Sequence, residues 1–256
     1  MEQVGEHPVP VGPLAVRWLA HGVGSVKAGA VHRIAVAFEN AGSAPWRDVK
    51  LSYHWLDSLS NPVLWDGLRT DLPVTDPGRW VETEAAVRGP IPPGRYRLAF
   101  DLVIEHRYWF REIGNECLEL ETAVGPRIER RLAVVGAKVA GQEEPLVGFE
   151  EAQAVAHLAP GCMPAPDWSR RVLDAHQEGY GVVAGSVEAG RNRALAPWSP
   201  GSGRNPGFQH PLLCPSLVNG IDAQWLDPVE GLPAAAAPSD EPWIYDGRIT
   251  LRLKQS

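Results

Sequence analysis

The sequence predicts a mainly β protein: a sandwich of about eight strands through its first half, followed by a smaller, irregular α/β domain. Three observations predict it. Apolar residues recur at every second position between Pro13 and Val135, the period of strands with one face buried. Glycine, proline, asparagine and aspartate interrupt that stretch at short intervals, with no helical period between them. After Val135 the alternation gives way to a helix-sized apolar stripe and then a continuous apolar run.

Val16 and Trp18 open the first strand, and Ile34, Val36 and Phe38 mark the next. Asn40 and Gly42 follow as turn residues that tolerate left-handed backbone angles. Val49, Leu51, Tyr53 and Trp55 alternate with Lys50, Ser52 and His54, which assigns the first set to the core and the second to an outer face. Asp76-Pro77-Gly78 is a turn, with proline fixing φ and glycine releasing it. Val81, Thr83, Ala85 and Val87 then alternate with Glu82, Glu84 and Ala86. Pro90, Pro92 and Pro93 cannot donate to a ladder, so they form a crossover before the next strand. Tyr96, Leu98, Phe100, Leu102 and Ile104 are the longest alternation, as in a central strand. Leu118, Leu120, Thr122 and Val124, with residues 128–134 beyond, complete the set. Short strands joined by such turns are the pattern of an immunoglobulin-like β-sandwich, expected over residues 10–136.

A polar, glycine-containing linker is expected at 137–145, and a small α/β domain with long irregular segments at 146–256. Ala152, Val155, Ala156 and Leu158 form a short apolar piece, helix or buried strand. Asp167 reads as an N-cap, Trp168, Val172, Leu173 and Ala175 as a helical stripe, and Gly179 as a C-cap. Tyr180 to Val187 is a buried strand. From Arg191 to Asp240 proline, glycine and alanine dominate, which reads as extended chain anchored by Trp198, Phe208, Trp225 and Leu226. Trp243 to Leu253 reads as strand, Asp-Gly turn and strand, or as one bulged strand.

A net charge of -7 and a pI near 5.6 argue against a nucleic-acid surface. Arg127, Arg130 and Arg131 read as a charged strand edge. The start has no basic region followed by an apolar core, and no apolar run reaches the ~20 residues that cross a bilayer. The chain is therefore expected to be cytoplasmic, without a membrane span. Nothing in the pattern specifies an oligomeric state. Cys117, Cys162 and Cys214 include no close pair and are read as buried thiols, with no metal site and no cofactor expected.

No catalytic residue is assigned. Gly185-Ser186 lacks the second glycine of a nucleophile elbow. His157 and His176 lack the i, i+4 spacing of a helical zinc pair and read as partly buried structural residues. Gly201-Ser202-Gly203-Arg204 lacks the lysine and hydroxyl of a phosphate-binding loop.

Two resemblances add to this. The order Asn40-Ala41-Gly42, Trp46, Tyr53-His54-Trp55-Leu56-Asp57, Asp66 to Pro73, Pro77-Gly78, Pro90 to Tyr96, Asp101-Leu102-Val103, Trp109-Phe110 and Gly114 resembles bacterial immunoglobulin-like accessory domains attached to glycosyltransferases and other cell-envelope sugar enzymes. It is similar, more distantly, to the four-tryptophan sandwich domain and the sugar-binding domain of O-antigen transporters. The likeness covers half the chain and implies binding of glycans or proteins, not catalysis. Val155 to Leu158, Pro160 to Trp168 and Val182 to Val187 resemble the middle of family 2 glycosyltransferases. That family places metal-holding carboxylates where this chain has Ala159, Pro160 and Gly161, so the likeness implies a degenerate relative.

The expected function is thus a non-enzymatic binding or accessory protein of bacterial surface-glycan metabolism, contacting a glycan or a glycan-assembly protein through its sandwich. The alternatives are a nucleotide-sugar-dependent glycosyltransferase, using acids such as Glu150, Glu151, Asp174 or Glu188, or a truncated fragment of one, and a structural protein-interaction module. Pyranose rings stack on indoles, which directs attention to Trp46, Trp65, Trp80 and Trp109. Trp46, Trp65 and Trp109 with Asp66 and Arg69 form the candidate ligand site. The competing readings are indoles packed under loops and an Asp-to-Arg loop clamp.

Overall fold

The structure, a computed structural model, describes residues 1–5, 12–22, 24–189, 211–229, 231–236 and 238–253. The chain is mainly β, with one α-helix among the described residues. It divides into two compact units, Met1–Gly125 and Pro126–Ser256.

In the first unit the strands are β1 (Glu2–Gln3), β2 (Val16–His21), β3 (Val26–Lys27), β4 (Val31–Asn40), β5 (Val49–Leu56), β6 (Pro62–Leu64), β7 (Thr70–Asp71), β8 (Trp80–Arg88), β9 (Gly94–Ile104), β10 (Tyr108–Trp109) and β11 (Leu118–Gly125). They form a four-stranded sheet, β1-β2-β4-β8, and a seven-stranded sheet, β3-β11-β9-β5-β6, with β7 and β10 paired to β5 and β9. The alternation explains the arrangement. Trp18, Val36, Phe38 and Val87 from the first sheet meet Leu51, Tyr53, Trp55, Leu98, Phe100 and Leu102 from the second in one apolar core. Burial of that core is the dominant favourable contribution to folding.

The Asn40 turn works differently from the sequence expectation. Neither Asn40 nor Gly42 has a left-handed backbone. Instead the fully buried Asn40 amide donates to the carbonyls of Ala44 (2.9 Å) and Thr75 (2.8 Å) and accepts from the Gly42 N–H (3.0 Å). Glycine is required at 42 by close approach, since a Cβ there would lie 2.3 Å from the Pro13 oxygen. Gly78 does use positive φ, at 74°, and closes the Asp76 turn as expected.

In the second unit β12 (Leu132–Val135), β13 (Ala154–His157), β14 (Cys162–Pro164), β15 (Val182–Ala189), β16 (Leu212–Leu213), β17 (Ser216–Val218), β18 (Gln224–Val229), β19 (Leu232–Ala236) and β20 (Trp243–Leu253) accompany helix α1 (Trp168–Glu178). A six-stranded sheet runs β12-β13-β17-β15-β20-β14, and a three-stranded one runs β16-β19-β18. The unit boundary falls at Gly125/Pro126, so the Leu132–Val135 strand expected in the sandwich pairs with β13 instead. The 137–145 segment is held against α1: Gln142 Oε1 accepts the Ser169 N–H (2.9 Å) and Ser169 Oγ donates to the Glu144 carbonyl (3.0 Å). Asp167 does occupy the N-cap position, but its carboxylate pairs with Arg171 at 2.5 Å rather than capping.

The stretch expected to be irregular holds strands. Ala234, Ala235 and Ala236 are buried; the first two are paired with both β16 and β18 and Ala236 with β18, because alanine fits where neighbouring backbones crowd. Trp198 and Phe208 lie outside the described residues. Trp225 is largely exposed, while Leu226 packs on the core. Residues 243–253 form one strand, parallel to β15 with a register shift between Gly185 and Ser186, matching the bulged alternative.

Candidate functional site

The most unusual feature of the first unit lies on the outer face of its seven-stranded sheet. Ser52 pairs with Asp101 across β5 and β9, and Leu118 pairs with Phe100 across β11 and β9, which brings Cys117 beside Asp101. Tyr53, Trp55, Phe100 and Leu118 face the core, so Ser52, His54 and Asp101 face away from it. Alternation assigns that face to water, yet these three are exposed by 1%, 0% and 1%.

Two tryptophans provide the cover. Trp65, just beyond β6, stacks on His54 with ring centroids 4.0 Å apart and planes 21° apart. Trp109, at the end of β10, meets the same imidazole at 4.4 Å and 57°. Arg111 lies over the Trp65 ring at 5.0 Å and Arg69 over the Trp109 ring at 4.9 Å. Both guanidiniums gain from the electron-rich ring faces.

Arg69 holds the covering loop down. It donates to Asp66 (2.5 Å), Glu105 (2.6 Å), Ser52 Oγ (2.9 Å) and the Gly67 carbonyl (2.6 Å). The loop can lie this close to β5 because residue 67 is glycine. Its N–H donates to the Tyr53 carbonyl at 3.1 Å, and a Cβ would sit 2.6 Å from that oxygen.

Beneath the indoles is a polar centre. His54 Nδ1 bonds the Trp65 carbonyl; a carbonyl only accepts, so Nδ1 carries the proton. Nε2 is buried and makes no hydrogen bond, 3.6 Å from Asp101 Oδ2. Asp101 Oδ1 accepts from the Leu102 N–H (2.7 Å) and Oδ2 from the Arg111 N–H (3.4 Å). Burial and the adjacent Asp101 carboxylate push the Cys117 thiol far above its ordinary range. The ligand atoms of His54, Asp101 and Cys117 all lie within 4.8 Å of one another, the one such group among the described residues.

Four of the five residues selected from sequence therefore come together: Trp65, Asp66, Arg69 and Trp109. Trp46 does not. It is 1% exposed, packed between Phe38 (6.0 Å) and Phe110 (5.7 Å), and offers no ring face to a ligand. Trp65 is 39% exposed, but His54 and Arg111 occupy its ring, leaving an edge to solvent. Asp66 and Arg69 form the loop clamp. His54, Asp101, Cys117 and Arg111 are added by the structure; no local pattern marks them, since strand register assembles them.

Trp80 has a different setting. It is 62% exposed at the start of edge strand β8, and no aromatic ring or guanidinium stacks on it among the described residues. Register places it beside Glu39, which pairs with Arg17 at 3.1 Å, so Arg17, Glu39 and Trp80 form one row on the outer face of the four-stranded sheet.

In the second unit His157 and His176 are packed against neighbours. His176 is fully buried, its Nδ1 donating to the Tyr180 carbonyl (2.8 Å) and its Nε2 bonded to Ser216 Oγ (2.9 Å). Burial lowers it to about 4. His157 meets Trp225 edge-on at 4.6 Å. Of the acids available to a transferase, Asp174 pairs with Arg130 and Arg170, and Glu188 with Arg252. Arg127 and Arg131 pair with Glu241 and Glu129. No helix of the described chain is long and apolar enough to cross a membrane. No protein-family model matches the chain, and no curated protein is significantly similar to it in sequence.

Proposed function

We propose that the chain is a non-catalytic binding or accessory protein of bacterial surface-glycan metabolism, and that its first unit is an immunoglobulin-like sandwich that contacts carbohydrate. The observation that carries this reading is Trp80. A pyranose needs a flat apolar surface for its C–H face and charged or polar groups at its rim for its hydroxyls. Trp80 is an indole with open surroundings, and Glu39 with Arg17 continues its row as hydrogen-bonding partners. Trp65 lies on the other sheet with His54 and Arg111 against its ring, and so offers no comparable open face. A sugar transferase is less well supported, because Ala159, Pro160 and Gly161 supply no carboxylate for a metal-bound diphosphate.

The test is saturation-transfer NMR of the whole protein against a panel of bacterial envelope oligosaccharides, followed by titration of any hit. Trp80→Ala is expected to weaken the complex about tenfold, the equivalent of a lost stacking contact. Trp65→Ala, on the other sheet, is expected to leave it unchanged. No contact with any oligosaccharide, or binding indifferent to Trp80, would overturn the proposal; a manganese-dependent response to nucleotide sugars would replace it with the transferase.

A further inference from the structure

We propose that the outer face of the seven-stranded sheet carries a transition-metal site of the zinc class, with His54 Nε2, an Asp101 carboxylate oxygen and the Cys117 sulfur as its three protein ligands. The site is separate from the Trp80 row and does not depend on glycan binding.

The first argument is the imidazole. Because Nδ1 donates to the Trp65 carbonyl, Nε2 is the ring nitrogen left to face a metal ion. That atom is fully buried and has no hydrogen-bond partner. A buried polar atom without a partner costs ~1–3 kcal/mol, and this one is aimed at a carboxylate. A ring nitrogen and a carboxylate oxygen facing each other in a dry site can hold a cation between them. A histidine whose second nitrogen is fixed by a backbone carbonyl is also the arrangement that orients metal-bound imidazoles.

The spacing suits a shared metal ion. The 3.6 Å from Nε2 to Asp101 Oδ2 exceeds a hydrogen bond. Ligands at ~2.0–2.3 Å around a tetrahedral zinc ion lie about 3.3–3.7 Å apart. The histidine–carboxylate pair already has that spacing. The full set lies within 4.8 Å, so any remaining approach is at most about 1 Å, within the reach of a χ1 adjustment at the partly exposed Cys117.

Ligand chemistry selects the ion. One thiolate, one imidazole and one carboxylate suit zinc or cobalt, whereas calcium and magnesium take oxygen sets. Charge also balances, since a thiolate and a carboxylate neutralise a divalent ion. The Leu102 and Arg111 N–H groups steady the carboxylate, and Trp65 and Trp109 shield the imidazole. On binding, the sulfur exchanges its proton for the metal, and that proton leaves to solvent. Three protein ligands leave a fourth position for water.

The experiment uses the full chain, stripped with chelator and titrated with Co2+ under reducing conditions. The expected result is one Co2+ per chain, a sulfur-to-cobalt charge-transfer band in the near ultraviolet, the intense visible bands of a four-coordinate ion, and displacement by Zn2+. Cys117→Ser is expected to abolish the charge-transfer band and to weaken Zn2+ by more than about 100-fold. The double variant Cys162→Ser, Cys214→Ser is expected to keep both. Absence of the band in the wild-type protein, or its persistence in Cys117→Ser, would overturn the proposal. Should Cys117→Ser fail to fold, alkylation of the wild-type protein read by peptide mass spectrometry decides the matter. Protection of Cys117 by Zn2+ supports the site, and equal labelling with and without Zn2+ refutes it.

Discussion

Removing Arg69 separates the interactions that hold the site closed from those that merely decorate it. Of its four partners, Asp66 is 70% exposed, and an ion pair in such a setting is worth about 0–0.5 kcal/mol. Glu105 is more enclosed and contributes about 0.5–1 kcal/mol. Ser52 Oγ and the Gly67 carbonyl are covered, and each lost hydrogen bond costs about 1 kcal/mol. Contact with the largely buried Trp109 ring adds about 0.5 kcal/mol or more. Arg69→Ala is thus expected to destabilise the protein by about 3 kcal/mol, a large share of a typical domain stability of ~5–15 kcal/mol. Asp66→Asn, which removes only the exposed ion pair, is expected to cost under about 0.5 kcal/mol. Urea denaturation followed by tryptophan emission measures both, since loss of the clamp also bares Trp65 and red-shifts its emission. Equal costs for the two variants, or under about 1 kcal/mol for Arg69→Ala, would refute the assignment of the clamp to its covered partners.

Further outcomes follow from the same geometry. Gly67→Ala forces a Cβ to within 2.6 Å of the Tyr53 oxygen and is expected to cost ~1–3 kcal/mol and to raise acrylamide quenching of Trp65. Trp46→Ala is expected to cost about 3–5 kcal/mol, and Trp80→Ala under about 0.5 kcal/mol, by denaturant midpoint. His176 falls from 6.5 in the unfolded chain to about 4 when folded, so between those values the unfolded chain binds more protons. Stability from this group is complete above pH 6.5 and is lost as pH falls toward 4, by up to about 3 kcal/mol. His176→Gln is expected to flatten the stability curve over that window, and an unchanged slope would remove His176 as its cause.

The longer strands of the first unit, β2, β4, β5, β8, β9 and β11, were legible because each carries its own signal, whereas the two- and three-residue strands are too short to show a period. Tyr96 to Ile104 and Val49 to Trp55 alternate cleanly, and period two needs no knowledge of partners. The site was only half legible. Trp65, Asp66 and Arg69 are neighbours in sequence, and a tryptophan beside acid and base draws attention wherever it falls. His54 and Asp101 stand on β5 and β9 and Cys117 immediately precedes β11, and the register that aligns them is a long-range property. Alternation even misdirects there, since it assigns His54 to water; one covering loop reverses that assignment, and only Gly67 hints at its close approach. In the second unit Ala234 to Ala236 lacked a strand signal because alanine is depleted in strands. Pairing of Ala234 and Ala235 on both sides and of Ala236 on one, not propensity, makes them a strand.

Trp46 shows why the two candidate surfaces of the first unit should behave independently. Its ring touches Phe38 of β4 on the four-stranded sheet and Phe110, the residue after Trp109, so it links the packing beneath Trp80 to the packing beneath the metal-ligand cluster. A continuous aromatic link suggests communication, but coupling requires an element with two arrangements whose balance both sites bias. A close-packed core supplies one arrangement. The outer faces of two stacked sheets also lie more than about 10 Å apart, beyond the range at which independent substitutions interact appreciably. Zinc is therefore expected to stabilise the Trp65 loop and leave oligosaccharide affinity at Trp80 unchanged. A change of more than about fivefold in that affinity on adding Zn2+ would mean a coupling of about 1 kcal/mol, and the Trp46 cluster would then have to be a switch rather than a core.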